Sequence, residues 1–571
     1  MRPAPSREAA VIRAVLPLPG VALPSLVGRD DTTIALSPNG RLFAYVTPGH
    51  SSLMLRDLES GVSRVLAEGG TVGAPLFSPD SRFVAFVQGS GGGRTAVWGA
   101  LKKIAIAGGA ATTVADGIIG LKGSAWGDDD YIYYSPAPAM GLWRAPASGG
   151  TPEKLTDPDA AQGEKTHRMP FVLPGSRAVL FIVGTSRITS FNDARIEVLT
   201  LADRSRRRLV DGGSAPMYLP TGHLVYASAG QLVAVPFDPK RLTVTGAPVT
   251  VAEGVEDLAQ TGVSYRAVSA DGTLFFIPRA TTPPSGAIMA IDRLGRATKL
   301  ADAPYAVGSG RVSPDGRRMA IDPDGATQQI ALIDLARNTM QGFTYEWDNA
   351  SPLWSPDGSR IFFRSNRGGG NRRLYSQPAD GTGEPEVLTS SNHDEIPTAI
   401  SGRVLAYEVL DRTTKNDLWV LTTDDRTARV LVNTPFDEMG ARFSPDGRMI
   451  AYQSNQSGAW EIYVQAYPTS AGQLQVSKGG GVRAEWQPDG RSLVYLKGTD
   501  VMSVAIPPGA AGDPGLPTRL FSLEADDLFF DVLRDGRLIV LRRRAPAAIT
   551  SLGLIVNWFD HVRRLTGKDV P

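Results

Sequence analysis

Apolar residues in this chain come in short runs, each entered through a polar turn and left through another. In FSPDGRMIAYQSNQSGAWEIYV (443–464) the turn Ser444-Pro445-Asp446-Gly447 precedes the run Met449 to Tyr452. Proline presets φ near −65°, aspartate bonds back to the local backbone, and glycine takes a positive φ without a Cβ clash. An apolar residue before the turn and an apolar run after it predict a β-hairpin. The run is apolar at successive positions, which predicts a strand covered on both faces. Glu461 to Val464 and Leu474 to Val476 complete a four-stranded antiparallel unit.

The unit recurs. WSPDGSRIFFRSNRGGGNRRLYSQP (354–378), FSPDSRFVAFV (77–87), VSPDGRRMAI (312–321) and WQPDGRSLVY (486–495) repeat it. With the turn's first residue as marker, clear copies sit at Ser37, Ser78, Ser313, Ser355, Ser444 and Gln487. Degenerate ones align at Gly127, Leu173, Leu219, Ser269, Ala399 and Leu533, spaced on average 45 residues apart. Third-strand segments such as LMLRDL (53–58), LWRAP (142–146) and LWVLT (418–422) follow the markers. Four-stranded units of this period are β-propeller blades. Twelve exceed one ring, so the expected fold is all-β: tandem β-propellers, about six four-stranded blades each, with a short C-terminal helix near Trp558 to Leu565. The expected division is an N-terminal segment with a closing strand (1–30), a first propeller (31–280), a linker TTPPSG (281–286), a second propeller (287–550) and a strand–helix tail (551–571). For closure, the hairpin 287–300 should pair with 538–541, and 11–18 should help close the first ring; pairing of 287–300 with 273–277 is the alternative.

Composition changes this picture little. Lys plus Arg is 59 and Asp plus Glu is 58 in 571 residues, a net charge of +1, so nothing favours nucleic acid or an anionic membrane. There is no cysteine, hence no disulfide, thiolate metal site or Cys nucleophile. The uncharged stretch 14–28 is short and holds Pro17, Pro19 and Pro24, so neither a spanning helix nor a signal peptide is expected.

The repeats resemble the TolB-type propeller. GLWRAPASGGTPEKLT (141–156), EKTHRMPFVLPGSRAVLF (164–181), GHLVYASAGQLVAVPFDPKRLTVTGAPV (222–249), TPFDEMGARFSPDGRMIAYQSNQSGAWEIYVQAYP (434–468) and IVNWFDHVRRL (555–565) resemble the C-terminal propeller region of bacterial membrane-anchored serine/threonine protein kinases, across about residues 10–565. The resemblance implies a sensor module, an extracytoplasmic location, and association with a kinase or an envelope complex. The kinase machinery itself is missing. The only His-Arg dipeptide, His167-Arg168, is followed by Met169-Pro170, and there is no DFG. Gly89 to Arg94 is glycine-rich with the wrong spacing for a nucleotide loop.

No G-x-S-x-G elbow occurs, and five scattered histidines form no H-x-H or H-x-x-x-H, so neither a serine hydrolase nor a metal or cofactor site is expected. Asp128-Asp129-Asp130 is a solvated turn, and Trp126, Trp354 and Trp486 are expected to pack between blades. Six residues before the marker, where the chain enters the innermost strand, stand His167, Asn349, His393 and Glu438, flanked by Arg168, Asp348, Asp394 and Glu395. These could form a channel-mouth binding site, acidic on the second ring and suited to a cationic or polar ligand; the other role open to them is to solvate a channel or satisfy loop amides. Two function classes remain: a non-catalytic binding or sensing scaffold for a protein or a small polar ligand, and a propeller hydrolase or lyase working in a channel.

Overall fold

The computed structural model describes residues 10–18, 23, 32–90, 98–185, 188, 190–280, 285–305, 307–323, 328–367, 371–411, 415–469, 472–525, 527–544 and 549–567. Most of the glycine-rich segment 89–94 and of the expected linker 281–286 lies outside them. The chain forms two compact units, unit 1 from residues 1–283 with 546–571 and unit 2 from residues 284–545. The stretch expected as a separate tail, 551–571, is thus part of unit 1.

Among the described residues each unit contains six antiparallel sheets of at least four strands. In unit 2 the first strands of successive sheets, Val307–Val312, Asn349–Trp354, Asp394–Ser401, Glu438–Phe443, Val482–Trp486 and Asp527–Val532, touch in order, and the last meets the first. In unit 1 the strands Ile34–Leu36, Thr71–Phe77, Ser124–Trp126, Glu164–Val172 and Ser214–Leu219 do the same, and Arg266–Val268 returns to Ile34–Leu36. Both units are six-bladed β-propellers. We number the blades one to six in unit 1 and, starting at Val307, seven to twelve in unit 2.

The turn chemistry builds each hairpin. Ser444 Oγ accepts the Met449 N–H at 2.9 Å and donates to Asp446 Oδ1 at 2.6 Å. The same pair of bonds recurs at Ser78, Ser313 and Ser355. The following runs are buried on both faces, as in Met449 to Tyr452, because each sheet packs between two neighbours.

Each ring closes with strands distant in sequence. In blade twelve, Ser285–Ile291 pairs with Leu538–Arg544, Ile288 opposite Leu541, and Ala297–Ala303 lies outside it. Blade six takes Ser551–Val556 against Leu274–Phe276, and Ile12–Pro17 outside that. Closure of this kind leaves no unpaired gap in the ring. The helix Trp558–Thr566 then packs on unit 1: Trp558 is fully buried, and its indole N–H points to the Val251 carbonyl at 3.4 Å.

Candidate functional site: the axial channel of unit 2

The residues six before the turn marker are buried links between blades. His167 has no exposed surface; its Nδ1 contacts Thr156 Oγ1 of blade three at 2.7 Å and its Nε2 contacts Glu164 at 2.9 Å. Burial lowers the His167 pKa against the opposing pull of Glu164. Glu164 is itself held by Arg195 and Arg206; against burial, His167, Arg206 and the Asp159 N–H keep it well below the usual carboxylate range. Arg168 spends its guanidinium on the Thr261 and Pro138 carbonyls, both at 3.1 Å. In unit 2, Glu438 takes the Thr434 hydroxyl at 2.6 Å, and Asn349 donates to Gln329 Oε1 at 3.1 Å. Asp348 and Asp394 accept the backbone N–H groups of Gln328 and Arg372, at 3.0 and 2.7 Å.

Blade nine corrects the alignment. Its hairpin turns at Gly402-Arg403, Ser401 pairing with Val404, so the marker is Ser401 rather than Ala399. Glu395, not His393, then occupies the shared register, where it accepts from the Thr389 hydroxyl. His393 lies 3.7 Å from Asp411, its side chain 45% exposed. Buried polar groups need partners, and most of the expected mouth residues are spent on such contacts, while Asn349 Oδ1 and Glu438 Oε2 are buried without one. The three tryptophans pack between blades as expected, Trp126 against the core shared by blades two and three, and differ only in what their indole N–H groups bond. Trp354 and Trp486 donate to the preceding blades' Arg311 and Arg442 carbonyls, both at 3.0 Å, whereas Trp126 bonds Asp130 of its own turn at 3.1 Å.

The axis lies one step further along the inner strand. Two residues before the marker, unit 2 carries Arg311, Leu353, Ala399, Arg442, Glu485 and Asp531, whereas unit 1 carries Ala35, Leu76, Ala125, Phe171, Met217 and Ala267. Glu485 contacts Arg442 at 2.6 Å and Arg311 at 3.1 Å. Arg311 belongs to blade seven and Glu485 to blade eleven, with blade twelve between them, so this pair meets on the ring axis. Asp531 accepts the Val312 N–H at 3.0 Å, and burial pushes its carboxyl up to about 6. An Arg–Glu–Arg plug therefore closes the channel of unit 2 at this level.

Above the plug is a tier from the second strands. Each inner strand bulges four residues before its marker, where Ser351, Gly440 and Arg483 have φ of 56°, 66° and 55°. The bulge frees an N–H from the ladder, and the preceding blade supplies its acceptor. Asp322 takes Ser351 N at 2.9 Å, Glu408 takes Gly440 N at 2.7 Å and Gln453 takes Arg483 N at 3.0 Å. Burial raises Glu408 to about 7. In blade nine the corresponding residue is Pro397, which has no N–H to give. The residue facing that vacancy in blade eight is Arg364 rather than an acceptor. Among the described residues no ion pair holds its guanidinium, and its buried Nε has no hydrogen-bond partner. Burial and Arg372 draw its pKa down to about 10, against Asp322, Asp394 and Glu408, so it stays a cation at neutral pH. Sequence reasoning missed the plug and this tier, although the plug repeats two residues before the marker and Asp322, Arg364 and Gln453 stand nine after it.

No family model matches the chain, and no curated protein does. Solved structures with similar folds include a putative TolB from Agrobacterium tumefaciens, 18% identical over 46% of this chain and 99% of that one, TM-score 0.39. TolB from Acinetobacter baumannii is 15% identical over 59% of this chain and 80% of that one, TM-score 0.33. The tricorn protease is 13% identical over 89% of this chain and 63% of that one, TM-score 0.31. The propeller assignment rests on the strand ladders and ring contacts, not on these distant likenesses. No helix among the described residues is long and apolar enough to cross a membrane.

Proposed function

We propose that the chain is a non-catalytic binding scaffold that takes a small polar ligand, or the polar tip of a protein partner, into the axial channel of unit 2, with Arg364 as anchor. One observation supports this reading: Arg364 is the cation among the tier's polar side chains, standing where Asp322, Glu408 and Gln453 cap a neighbouring bulge, and opposite it Pro397 has no N–H to cap. A cation facing a channel, with low-dielectric walls and no ion pair, favours a carboxylate or another anion. The anionic preference replaces the cationic one expected from the loop acids, which accept backbone N–H groups at Asp348 and Asp394 and threonine hydroxyls at Glu395 and Glu438. The plug below, Arg311–Glu485–Arg442, sets the depth such a ligand reaches.

The second reading, a channel hydrolase or lyase, finds its support in Glu408 and Asp531, whose raised pKa values suit an acid near neutrality. It lacks an accessible base beside them: the closest His–carboxylate contact among the described residues, His167 with Glu164, is buried on both sides. An extracytoplasmic location and association with a kinase or an envelope complex belong to the proposal and rest on the repeat resemblance alone.

Calorimetric titration with succinate and with 1,4-diaminobutane tests the sign of the site. Succinate should bind the native protein and fail with Arg364→Gln. Binding of the diamine in preference to succinate, or succinate binding that survives Arg364→Gln, would refute the reading.

A further inference from the structure

On the turn face of unit 2, two adjoining clefts of about 280 and 110 Å³ share Asp292, Arg293 and Gly536. They lie where blade eleven meets blade twelve, at the one clear repeat copy whose turn does not begin with serine. Elsewhere that serine folds back onto its own turn, as Ser444 does. Gln487 in the same place is too long for those bonds. It is only 5% exposed, lines the smaller cleft, and leaves its Oε1 buried without a hydrogen-bond partner. Gly536 lies against this oxygen: a Cβ there would stand 3.1 Å from it.

The other polar groups around the clefts are balanced in charge. Asp292 is paired with Arg296 at 2.8 Å and Asp535 with Arg537 at 2.7 Å. That leaves one cation, Arg293, which makes no hydrogen bond or ion pair among the described residues, and one anion, Asp489. Partly exposed Leu520 and Phe521 supply an apolar wall. A buried acceptor needs a donor; a free guanidinium needs an acceptor. Hydroxyl groups answer both, and a balanced site gives no premium to net charge. We propose that this cleft binds a neutral polyhydroxylated ring of monosaccharide size, its hydroxyls on Gln487, Arg293 and Asp489 and its apolar face on Leu520 and Phe521. A few placed polar groups on an apolar wall are the usual make-up of such sites.

Saturation-transfer NMR with the methyl glycosides of glucose, galactose, mannose and N-acetylglucosamine tests this. At least one should bind, with Kd insensitive to salt. Gln487→Ser restores the turn residue of the other copies, so the variant should melt no lower than the native protein. Gln487→Ser and Arg293→Ala should each weaken binding about 10-fold, while Arg364→Gln leaves it unchanged. Absence of saturation transfer from all four glycosides would overturn the proposal. So would a Kd that Gln487→Ser does not alter, or one that rises steeply with salt.

Discussion

Glu408→Gln separates two accounts of the channel by the direction of a pH effect. Glu408 is 5% exposed and its carboxyl is raised from 4.5 to about 7, chiefly by burial. Its folded pKa lies above its unfolded one, so its contribution to stability is fully present below the unfolded value and is lost as pH rises through about 7. At about 1.4 kcal/mol per tenfold change in proton affinity, the loss amounts to about 3 kcal/mol. Glutamine keeps an acceptor for the Gly440 N–H but cannot ionise. Native protein and variant should therefore match near pH 4.5, with the variant more stable by about 3 kcal/mol at pH 8. Hydrogen exchange under mild denaturant, read on peptides covering 404–411 and 438–443, isolates unit 2 from unit 1. A variant less stable than the native protein at pH 8 would mean that Glu408 is ionised and paired with Arg364. That result would remove the free cation on which the functional reading depends.

Other perturbations have equally definite outcomes. Thr389→Val removes the hydroxyl that joins the backbone of blade eight to buried Glu395; denaturant unfolding should show a loss of about 1–3 kcal/mol. Trp558→Ala empties a fully buried site and should cost about 3–5 kcal/mol, with faster hydrogen exchange in unit 1 peptides. His393→Ala, at a side chain 45% exposed, should change stability by no more than about 0.5 kcal/mol and leave succinate titration untouched. In unit 1, Glu164 and His167 both have lowered pKa values. Their contribution is present above the unfolded values, so acid titration followed by hydrogen exchange should show unit 1 weakening as pH falls from 6.5, the direction opposite to Glu408.

The repeat made the architecture legible because turn chemistry and strand apolarity are local. Closure was legible for a related reason: the hairpin 287–300 had no inner strands before it, and 529–541 had too few strands after it. The alignment slipped at blade nine because Ser401-Gly402-Arg403-Val404 makes a two-residue turn in place of the longer one, which shifts the marker by two residues and put His393 where Glu395 belongs. The expected site lies in the loops that enter the inner strands, where polar residues are conspicuous. Those residues serve backbone groups and buried side chains around them, as His167 does Thr156 of the preceding blade, a demand that cannot be seen within one repeat. Arg364 did leave a trace. It stands nine residues after Ser355, as Asp322 does after Ser313 and Gln453 after Ser444, and it breaks a set of acceptors opposite a proline.

A crystal structure of the protein with succinate tests the central claim most directly. The claim requires a carboxylate within about 3 Å of the Arg364 guanidinium, above an intact Arg311–Glu485–Arg442 plug. Succinate bound elsewhere, or Arg364 paired with Glu408 in a channel without succinate, would contradict it.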